Sequence, residues 1–546
     1  MNPHPIEAVL LHELIDRAAT RAPGATALTH GGEGRTYEQL AAQVAACAAG
    51  LVQAGLTRTG RVGIWLEKRF ETVVASFAAA AAGGAMVPMN PLLKPEQVGY
   101  IARDCDVQVL ITSPERFLLL GPLLGELPAL RRVVLTGAPA QAATLPAGVA
   151  VQTWGELLDA PPAPGHRVID TDLCAILYTS GSTGKPKGVV LSHRNMVAGA
   201  KSVASYLGNG PQDTLLAALP LSFDAGFSQL TTAFHAGARV VLLNYLLPGD
   251  VLRALAREKV TGLTAVPPLY MQLLQQQQWP AGIDEHLRYF ANTGGRMPRE
   301  TLMALRARVP HARPFLMYGL TEAFRSTYLP PEEVDRRPDS IGKAIPNAEI
   351  LVLREDGTEC AADEPGELVH RGALVGLGYW NDAAKTAERY RLMPVGVAGR
   401  EAGLQLPEYA VFSGDTVRRD AEGFLYFIGR RDEMIKTSGY RVSPTEVEEV
   451  LYATGLIGEC AAFGVEHAAL GQAIQVIVTP PAGGQVVEVQ ALLAQCKQRM
   501  PAYMVPHGVE VVPGPLPRNP NGKIDRKALS TGWGEARATA AAAEAS

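Results

Sequence analysis

The sequence lacks a strong excess of charge of either sign, which argues against a nucleic-acid-binding protein. Its 546 residues include 50 Lys and Arg against 54 Asp and Glu, a formal net charge of -4. Chains that bind nucleic acid through their overall electrostatic field are basic. We therefore expect small-molecule ligands held by local charges, and no nucleic-acid partner.

Cysteine is sparse, and no pair of cysteines has metal-binding spacing. None is part of a CxxC motif or lies in a histidine-rich stretch, which are the usual signs of a zinc site. We expect reduced thiols in a cytoplasmic protein. The six cysteines are Cys47, Cys105, Cys174, Cys360, Cys460 and Cys496.

Long apolar runs are also few, and one long uncharged stretch does not suit a membrane. Residues 72–93 carry no charge and are long enough to cross a bilayer. However, Gly83 and Gly84 predict a helix end, and prolines follow, so we expect a buried helix leading into a strand at 85–89. Acidic residues interrupt the first apolar positions of the chain, which predicts an amphipathic helix and no signal peptide.

The length and the order of apolar segments predict two unequal domains. A chain of 546 residues with 47% hydrophobic composition is too long for one core. Between about residues 60 and 320, short apolar runs alternate with longer segments, several of which have apolar residues at helical spacing. This pattern indicates an α/β domain of layered, mainly parallel sheets. A small α+β pattern follows. We expect a large domain at 1–430, a small mobile domain at 431–530 and a disordered Ala-rich tail at 531–546.

The most informative stretch is residues 177–190, LYTSGSTGKPKGVV. Its glycines let backbone N–H groups converge on an anion, and hydroxyls and lysines add donors and charge. A flexible surface turn is the alternative, but the flanking apolar runs favour a phosphate-binding loop between two strands. The spacing excludes a Walker A motif. The candidate ATP-binding residues here are Thr179, Ser180, Gly181, Ser182, Thr183, Gly184, Lys185 and Lys187.

Three further polar segments follow predicted strands. Thr321 and Glu322 suit a phosphate donor and a magnesium ligand respectively, although a lone glutamate is more often a surface carboxylate. A second polar turn contains Gly295. In the third, Asp224 lies in an apolar run, where an unpaired carboxylate is costly. One interpretation of Asp224 is a helix cap or a structural ion pair. The alternative is a cation-binding role in a substrate pocket.

Five segments together resemble the adenylate-forming superfamily of acyl-CoA synthetases, nonribosomal-peptide adenylation domains and luciferases. The resemblance covers about residues 10–530. The segments are YTSGSTGKPKG (178–188), YGLTE (318–322), SGDTVRRD (413–420), GRRDEMIKTSGYRVSPTEVE (429–448) and PRNPNGKIDRKAL (517–529).

This resemblance implies an enzyme that joins a carboxylic acid to AMP, using ATP and Mg²⁺, and then transfers the acyl group to a thiol. The thiol belongs to CoA or to a phosphopantetheinyl carrier protein. By similarity, Lys523 bridges the carboxylate and the α-phosphate, and Asp415 and Arg430 hold the ribose. Thr321 and Glu322 serve phosphate and magnesium. The ATP site also includes Tyr318, Gly319 and the adenine-side Gly295.

The resemblance further implies that the small domain rotates between the two half-reactions. Asp432 is the expected hinge, and Lys436 and Gly439 are expected at the thiol channel after rotation. Such gating is typical of two compact domains joined by a short charged segment.

Two departures from the family pattern concern the substrate. The connection between Tyr379 and Asp415 is long, resembles the ligases associated with exosortase A systems, and could cover a pocket or a partner surface. Phe223 and Asp224 resemble the position where amino-acid-activating relatives bind the α-ammonium group. An amino-acid-activating enzyme is therefore the alternative to an acyl ligase, and the acid and the oligomeric state stay open.

Overall fold

A computed structural model describes residues 7–138, 145–179, 186–394, 397, 403–431, 433–437, 440–467, 470–481, 486–520 and 522–544. At 440, 441, 471 and 537–544 only the backbone is described. The predicted residues Ser180, Gly181, Ser182, Thr183, Gly184, Lys185, Asp432 and Gly439 lie outside the described part.

The helices are α1 (Glu13–Arg21), α2 (Tyr37–Gln53), α3 (Phe70–Ala81), α4 (Pro95–Asp104), α5 (Pro114–Leu120), α6 (Trp154–Leu158), α7 (His193–Leu207), α8 (Asp224–Ala236), α9 (Pro248–Arg257), α10 (Pro267–Leu274), α11 (Ile283–His286), α12 (Arg299–Arg308), α13 (Ala383–Arg389), α14 (Pro444–Tyr452), α15 (Val489–Arg499) and α16 (Arg526–Glu544).

The strands are β1 (Thr26–His30), β2 (Glu33–Thr36), β3 (Arg61–Trp65), β4 (Ala85–Pro88), β5 (Val107–Thr112), β6 (Arg132–Leu135), β7 (Ala150–Thr153), β8 (Leu173–Thr179), β9 (Lys187–Ser192), β10 (Thr214–Ala217), β11 (Arg239–Leu242), β12 (Gly262–Ala265), β13 (Tyr289–Asn292), β14 (Arg313–Tyr318), β15 (Thr327–Leu329), β16 (Lys343–Ala344), β17 (Ala348–Leu353), β18 (Gly366–Gly372), β19 (Gly378–Tyr379), β20 (Tyr390–Leu392), β21 (Tyr409–Arg419), β22 (Leu425–Arg430), β23 (Ile435–Thr437), β24 (Tyr440–Val442), β25 (Cys460–His467), β26 (Gly471–Val478) and β27 (Gly508–Val511).

Two large sheets share a layer of helices, which confirms the predicted α/β class. The first has the order β16-β15-β14-β13-β12-β10-β11-β1-β2 and the second β19-β9-β8-β4-β3-β5-β6-β7. Their central strands are parallel. Phe77 of α3 stacks on Phe227 of α8 with ring centroids 5.6 Å apart, so helices from both sheets meet in one core. The carboxyl ends of parallel strands in such sheets are where ligands bind.

The uncharged stretch at 72–93 is a buried helix followed by a strand, as predicted. Helix α3 is buried along most of its length, and Gly83, at a φ of 80°, lets the chain leave the helix in a left-handed conformation. Among the described residues, no helix is both long and apolar enough to span a bilayer. All six cysteines are buried and free of disulfides.

A third and a fourth sheet complete the structure. β17, β18, β21, β20 and β22 form an antiparallel sheet, in which β21 and β22 make the predicted hairpin. β23 to β27 form the sheet of the small domain, where α14 and α15 cover a separate core. Helix α16 continues through the Ala-rich segment as far as Glu544. Alanine is the strongest helix former, and Trp533 packs edge-on against Phe463 at 6.2 Å.

Candidate active site

One wall of the site is the β21–β22 hairpin, which holds the two predicted ribose-binding residues. Asp415 and Arg430 are directly opposite each other, with Arg430 Nε 3.7 Å from Asp415 Oδ1. The hydroxyl of Tyr318, at the end of β14, donates to the Asp415 carboxylate. Burial raises the pKa of Asp415 to about 6, although Arg430 and Tyr318 favour its ionised form. A carboxylate held this way can accept hydrogen bonds from a sugar diol.

Glu322 lies in a single 3₁₀ turn that follows β14. Thr321 begins this turn and is buried. The Tyr379 hydroxyl donates to the Glu322 carboxylate, and Lys187 Nζ is 6.0 Å from the centre of the Tyr379 ring. Lys187 pairs in register with Thr179 across β8 and β9. The two ends of the predicted phosphate loop are therefore held next to Glu322.

The donor set near Glu322 suits a magnesium ion held mainly by phosphate. Throughout the described ranges, no group of three or more His, Cys, Asp or Glu side chains could hold a metal ion by itself. Mg²⁺ commonly uses one or two carboxylates together with water and substrate phosphates. Glu322 supplies one such carboxylate, so the residues present fit the predicted ion.

Lys523 reaches this site from the small domain. Its side chain is half-buried, with Nζ 5.7 Å from the centre of the Phe223 ring. A Cβ on Gly294 would lie 2.9 Å from Lys523 Cε, so only glycine allows this approach. Burial lowers the pKa of Lys523, and the carboxylate of Asp224 opposes that shift. Sequence reasoning missed Gly294, although it lies beside the predicted Gly295.

The turn that carries Lys523 is held from both domains. The Lys523 amide donates to Asn519 Oδ1 at 3.1 Å, and Arg518 pairs with Glu459 within the small domain. Asn90 of the large domain donates from Nδ2 to the carbonyl of Pro520 at 2.7 Å. Arg296 of the large domain pairs with Glu449 of the small domain, which forms a second link between the domains.

Lys436 lies apart from this cluster, because its side chain is exposed on β23. Its backbone amide donates to Gln472 Oε1 at 2.8 Å. On the large domain, Gly295 accepts at its carbonyl from Asn292 Nδ2 at 2.8 Å, and Gly319 links β14 to the turn of Glu322. The structure thus gathers Lys523, Asp415 and Arg430 but leaves Lys436 outside.

Asp224 is the first residue of α8 and forms a buried ion pair that the sequence did not reveal. Arg325 Nη1 is 3.1 Å from Asp224 Oδ2, and both side chains are at most 4% exposed. Burial raises the pKa of Asp224, while Arg325 and Lys523 act in the opposite direction. Of the alternatives for Asp224, the geometry favours the ion pair. The available signal was a charged residue, Arg325, directly after the apolar pair Ala323 and Phe324.

The connection between Tyr379 and Asp415 begins against the site. It contains α13 and β20, which pairs with β21. Tyr390 at the start of β20 donates from its hydroxyl to the Glu322 carbonyl at 3.4 Å. Arg389 at the end of α13 donates to the Phe412 carbonyl at 3.3 Å. This segment therefore supports the turn of Glu322 and the Asp415 strand.

Comparison with known proteins agrees with this geometry. The family model described as AMP-binding enzyme matches residues 15–380, and that of the AMP-binding enzyme C-terminal domain matches residues 446–523. The chain is 30% identical to an L-proline--[L-prolyl-carrier protein] ligase of Pseudomonas fluorescens, over 95% of this chain and 99% of that protein. It is 30% identical to a feruloyl-CoA synthase of Amycolatopsis sp., over 93% and 96%.

A solved structure adds the same result at the level of the fold. ATP-bound MatB from Rhodopseudomonas palustris superposes with a TM-score of 0.81 at 26% identity, over 95% of this chain and 98% of that one. With 95% of this chain covered, the match extends over both domains. The chain therefore belongs to the AMP-binding enzyme family.

Proposed function

We propose that the protein is an AMP-forming acid–thiol ligase. A carboxylate oxygen of the acid attacks the α-phosphorus of ATP, and the bond from that phosphorus to the pyrophosphate oxygen breaks. A thiolate then attacks the acyl carbon, and AMP leaves with the electrons of the acyl–oxygen bond. The products are a thioester, AMP and pyrophosphate.

The observation that carries this proposal is the position of Lys523. Its ammonium lies beside Phe223 and Gly294, within electrostatic reach of Asp415 and Asp224. A fixed positive charge in a dry site stabilises the negative charge that accumulates as the carboxylate attacks phosphorus. Asp415 and Arg430 orient the ribose on the other side. Glu322 would hold a magnesium ion, which would supply positive charge beside the departing pyrophosphate.

The alternative is an enzyme that activates an amino acid for a carrier protein. The similarity to the prolyl-carrier ligase and the presence of Asp224 support it. Against it, Arg325 already neutralises Asp224, and an α-ammonium group placed there would face a guanidinium. We therefore favour an acid without an α-ammonium group. The thiol of CoA or of a carrier protein serves as acceptor in either case.

The second half-reaction requires the small domain to move. Lys523 lies at the proposed reacting centre in the present arrangement, whereas Lys436 is exposed and lies apart from it. Rotation about Asp432 would withdraw Lys523 and bring the segment of Lys436 and Gly439 to the thiol. We also propose that the boundary between the domains lies at residue 430 and that the protein is cytoplasmic. The likeness to exosortase-associated ligases is likewise part of the proposal.

Pyrophosphate exchange tests the proposal. Radiolabelled pyrophosphate should enter ATP only when an acid is present, and a panel of aliphatic, aromatic and amino acids identifies the class. Exchange with no acid of any class would contradict the ligase function. Exchange with amino acids alone would instead establish the alternative. CoA and a phosphopantetheinylated carrier protein, offered separately, then identify the acceptor.

A further inference from the structure

A small buried cavity lies along α8, next to the Asp224–Arg325 pair. The cavity has a volume of about 10 Å³, which is room for about one water molecule. Its polar lining comes from Ser228, Gln229, Thr232, Thr264 and Arg325. Asp224 directly follows Phe223, on which Lys523 rests, so the cavity is one to two helical turns away from the reacting centre.

The backbone before Arg325 is built to aim it at this place. Phe324 has a φ of 56° and a ψ of -49°, and the Arg325 amide donates to the Ala323 carbonyl, as in a strained γ-turn. The Phe324 ring is fully buried against Gly199, where a Cβ would lie 2.4 Å from it. Close packing of the ring on one side thus directs the guanidinium to the other.

Three polar atoms here have no hydrogen-bond partner in the described part of the chain. They are Asp224 Oδ1, Gln229 Oε1 and Arg325 Nε, and all three are buried. Buried polar atoms in native proteins are nearly always paired, and an unpaired one weakens folding or binding. Two of these atoms accept hydrogen bonds and one donates. The ligand that completes the set must therefore both donate and accept.

This requirement separates the chemical classes of acid. An apolar chain end satisfies none of the three atoms. An ammonium group only donates and lies against Arg325, whereas a second carboxylate only accepts and lies against Asp224. A hydroxyl accepts from Arg325 and donates to Asp224 or Gln229, and a carboxamide can satisfy all three. The room for about one water molecule suits the hydroxyl best, because it is the smaller of these two groups.

Building on the proposed ligase function, we propose that the substrate is a short carboxylic acid carrying a neutral hydroxyl or carboxamide near its carboxylate. Arg325, Asp224 and Gln229 are its specificity-determining residues. A site built to hydrogen-bond a substrate group discriminates strongly against an analogue that lacks it.

The test is acid-dependent pyrophosphate exchange by the full chain with matched acids. Propionic and butyric acids are compared with derivatives that carry a hydroxyl, a carboxamide, an ammonium or a second carboxylate at carbon 2, 3 or 4. We expect the best hydroxyl or carboxamide acid to exceed the unsubstituted acid in kcat/KM by at least about tenfold. A best substrate from the apolar, ammonium or dicarboxylate arm would overturn this inference and leave the ligase function intact.

Substitutions locate the preference. In the double variant Asp224→Leu and Arg325→Leu, which removes both charges, the ratio of kcat/KM for the substituted and unsubstituted acids should fall to about one. Gln229→Leu should lower the same ratio. The control is Arg337→Leu, which removes another buried, ion-paired arginine and should leave the ratio unchanged.

A ratio is used because it is independent of the amount of folded enzyme. An unchanged ratio in both site variants would contradict the assignment of these residues. Exchange with no acid in the panel or in the wider classes would refute the ligase function and this inference together.

Discussion

Two buried aspartates in the large domain, each paired with an arginine, differ in how completely they are bonded. Arg288 donates to both oxygens of Asp213, at 2.8 and 2.7 Å, and the hydroxyl of Thr261 and the amide of Gly210 donate as well. In the Asp224–Arg325 pair, one hydrogen bond of 3.1 Å joins the side chains, and two atoms have no partner among the described residues. The saturated pair suits a structural role, and the open one suits a ligand.

The pKa values of the two aspartates shift in opposite directions for the same reason. Burial disfavours ionisation of both carboxyls. At Asp213, the bonds from Arg288, Thr261 and Gly210 more than offset burial and lower the pKa. At Asp224, Arg325 and Lys523 do not offset it, and the pKa is raised. A raised pKa beside atoms that have no partner among the described residues supports the role that we propose for the Asp224–Arg325 pair.

The largest effect that we expect is the loss of adenylation in Lys523→Ala. Removing the charge at the reacting centre should lower acid-dependent pyrophosphate exchange by about a hundredfold or more. Stability should not fall, because burial makes this lysine unfavourable in its charged form. Exchange kinetics and thermal unfolding measure the two effects. If exchange stays within a few fold of the wild-type value, the catalytic role that we propose for Lys523 is contradicted.

Asp213→Asn should produce the reverse, a loss of stability with normal substrate preference. Weakening a saturated, charge-assisted pair costs about 2 kcal/mol in the free energy of unfolding. The lowered pKa means that the stabilisation is present above about pH 4 and is lost as pH falls. Urea unfolding at pH 7 and pH 3.5 should show the difference shrinking at the lower pH. A constant difference would contradict the titration of Asp213.

Gly199→Ala tests whether packing behind Phe324 aims Arg325. The new Cβ would lie 2.4 Å from the buried ring, so we expect a loss of about 1–3 kcal/mol in the free energy of unfolding. Displacing the ring should also raise KM for the acid. Gly210→Ala is the matched control, because its Cβ would meet nothing within 4 Å. Equal changes of KM in the two variants would argue against this positioning role.

The smallest expected effect is a pH dependence of nucleoside binding at Asp415. With a pKa of about 6, its ionised form is lost as pH falls, so adenosine affinity should drop about tenfold between pH 7 and pH 5. Asp415→Asn should remove this dependence. Calorimetry with adenosine avoids the titration of phosphate groups, and a flat wild-type profile would contradict the role of Asp415.

The contribution of Asp415 to stability should depend on pH in the opposite sense to that of Asp213, because the pKa of Asp415 is raised and that of Asp213 is lowered. Its folded pKa exceeds the unfolded value of about 4, so its contribution is fully present below pH 4 and is lost as pH rises through 6. Unfolding of Asp415→Asn at pH 4 and pH 8 tests this sign. The variant should gain stability relative to the wild type at the higher pH.

Local patterns predicted several elements. The uncharged segment at 72–93 contains α3 and β4, and the stretch at 177–190 joins β8 to β9. These predictions succeed because periodicity and turn residues act over short distances. At the C-terminus, alanine propensity and the contact of Trp533 support α16, which extends to Glu544 within the segment that composition predicted to be disordered.

The sequence by itself determined the family, the α/β class and the order of the motifs, because each motif is a continuous run of residues. Only the tertiary structure decided which side chains meet. Asp224 and Arg325 are 101 positions apart, and Lys523 reaches Phe223 from another domain. No local pattern encodes such contacts, since they arise when strand ends converge and helices pack. The substrate pocket is therefore a property of the packing.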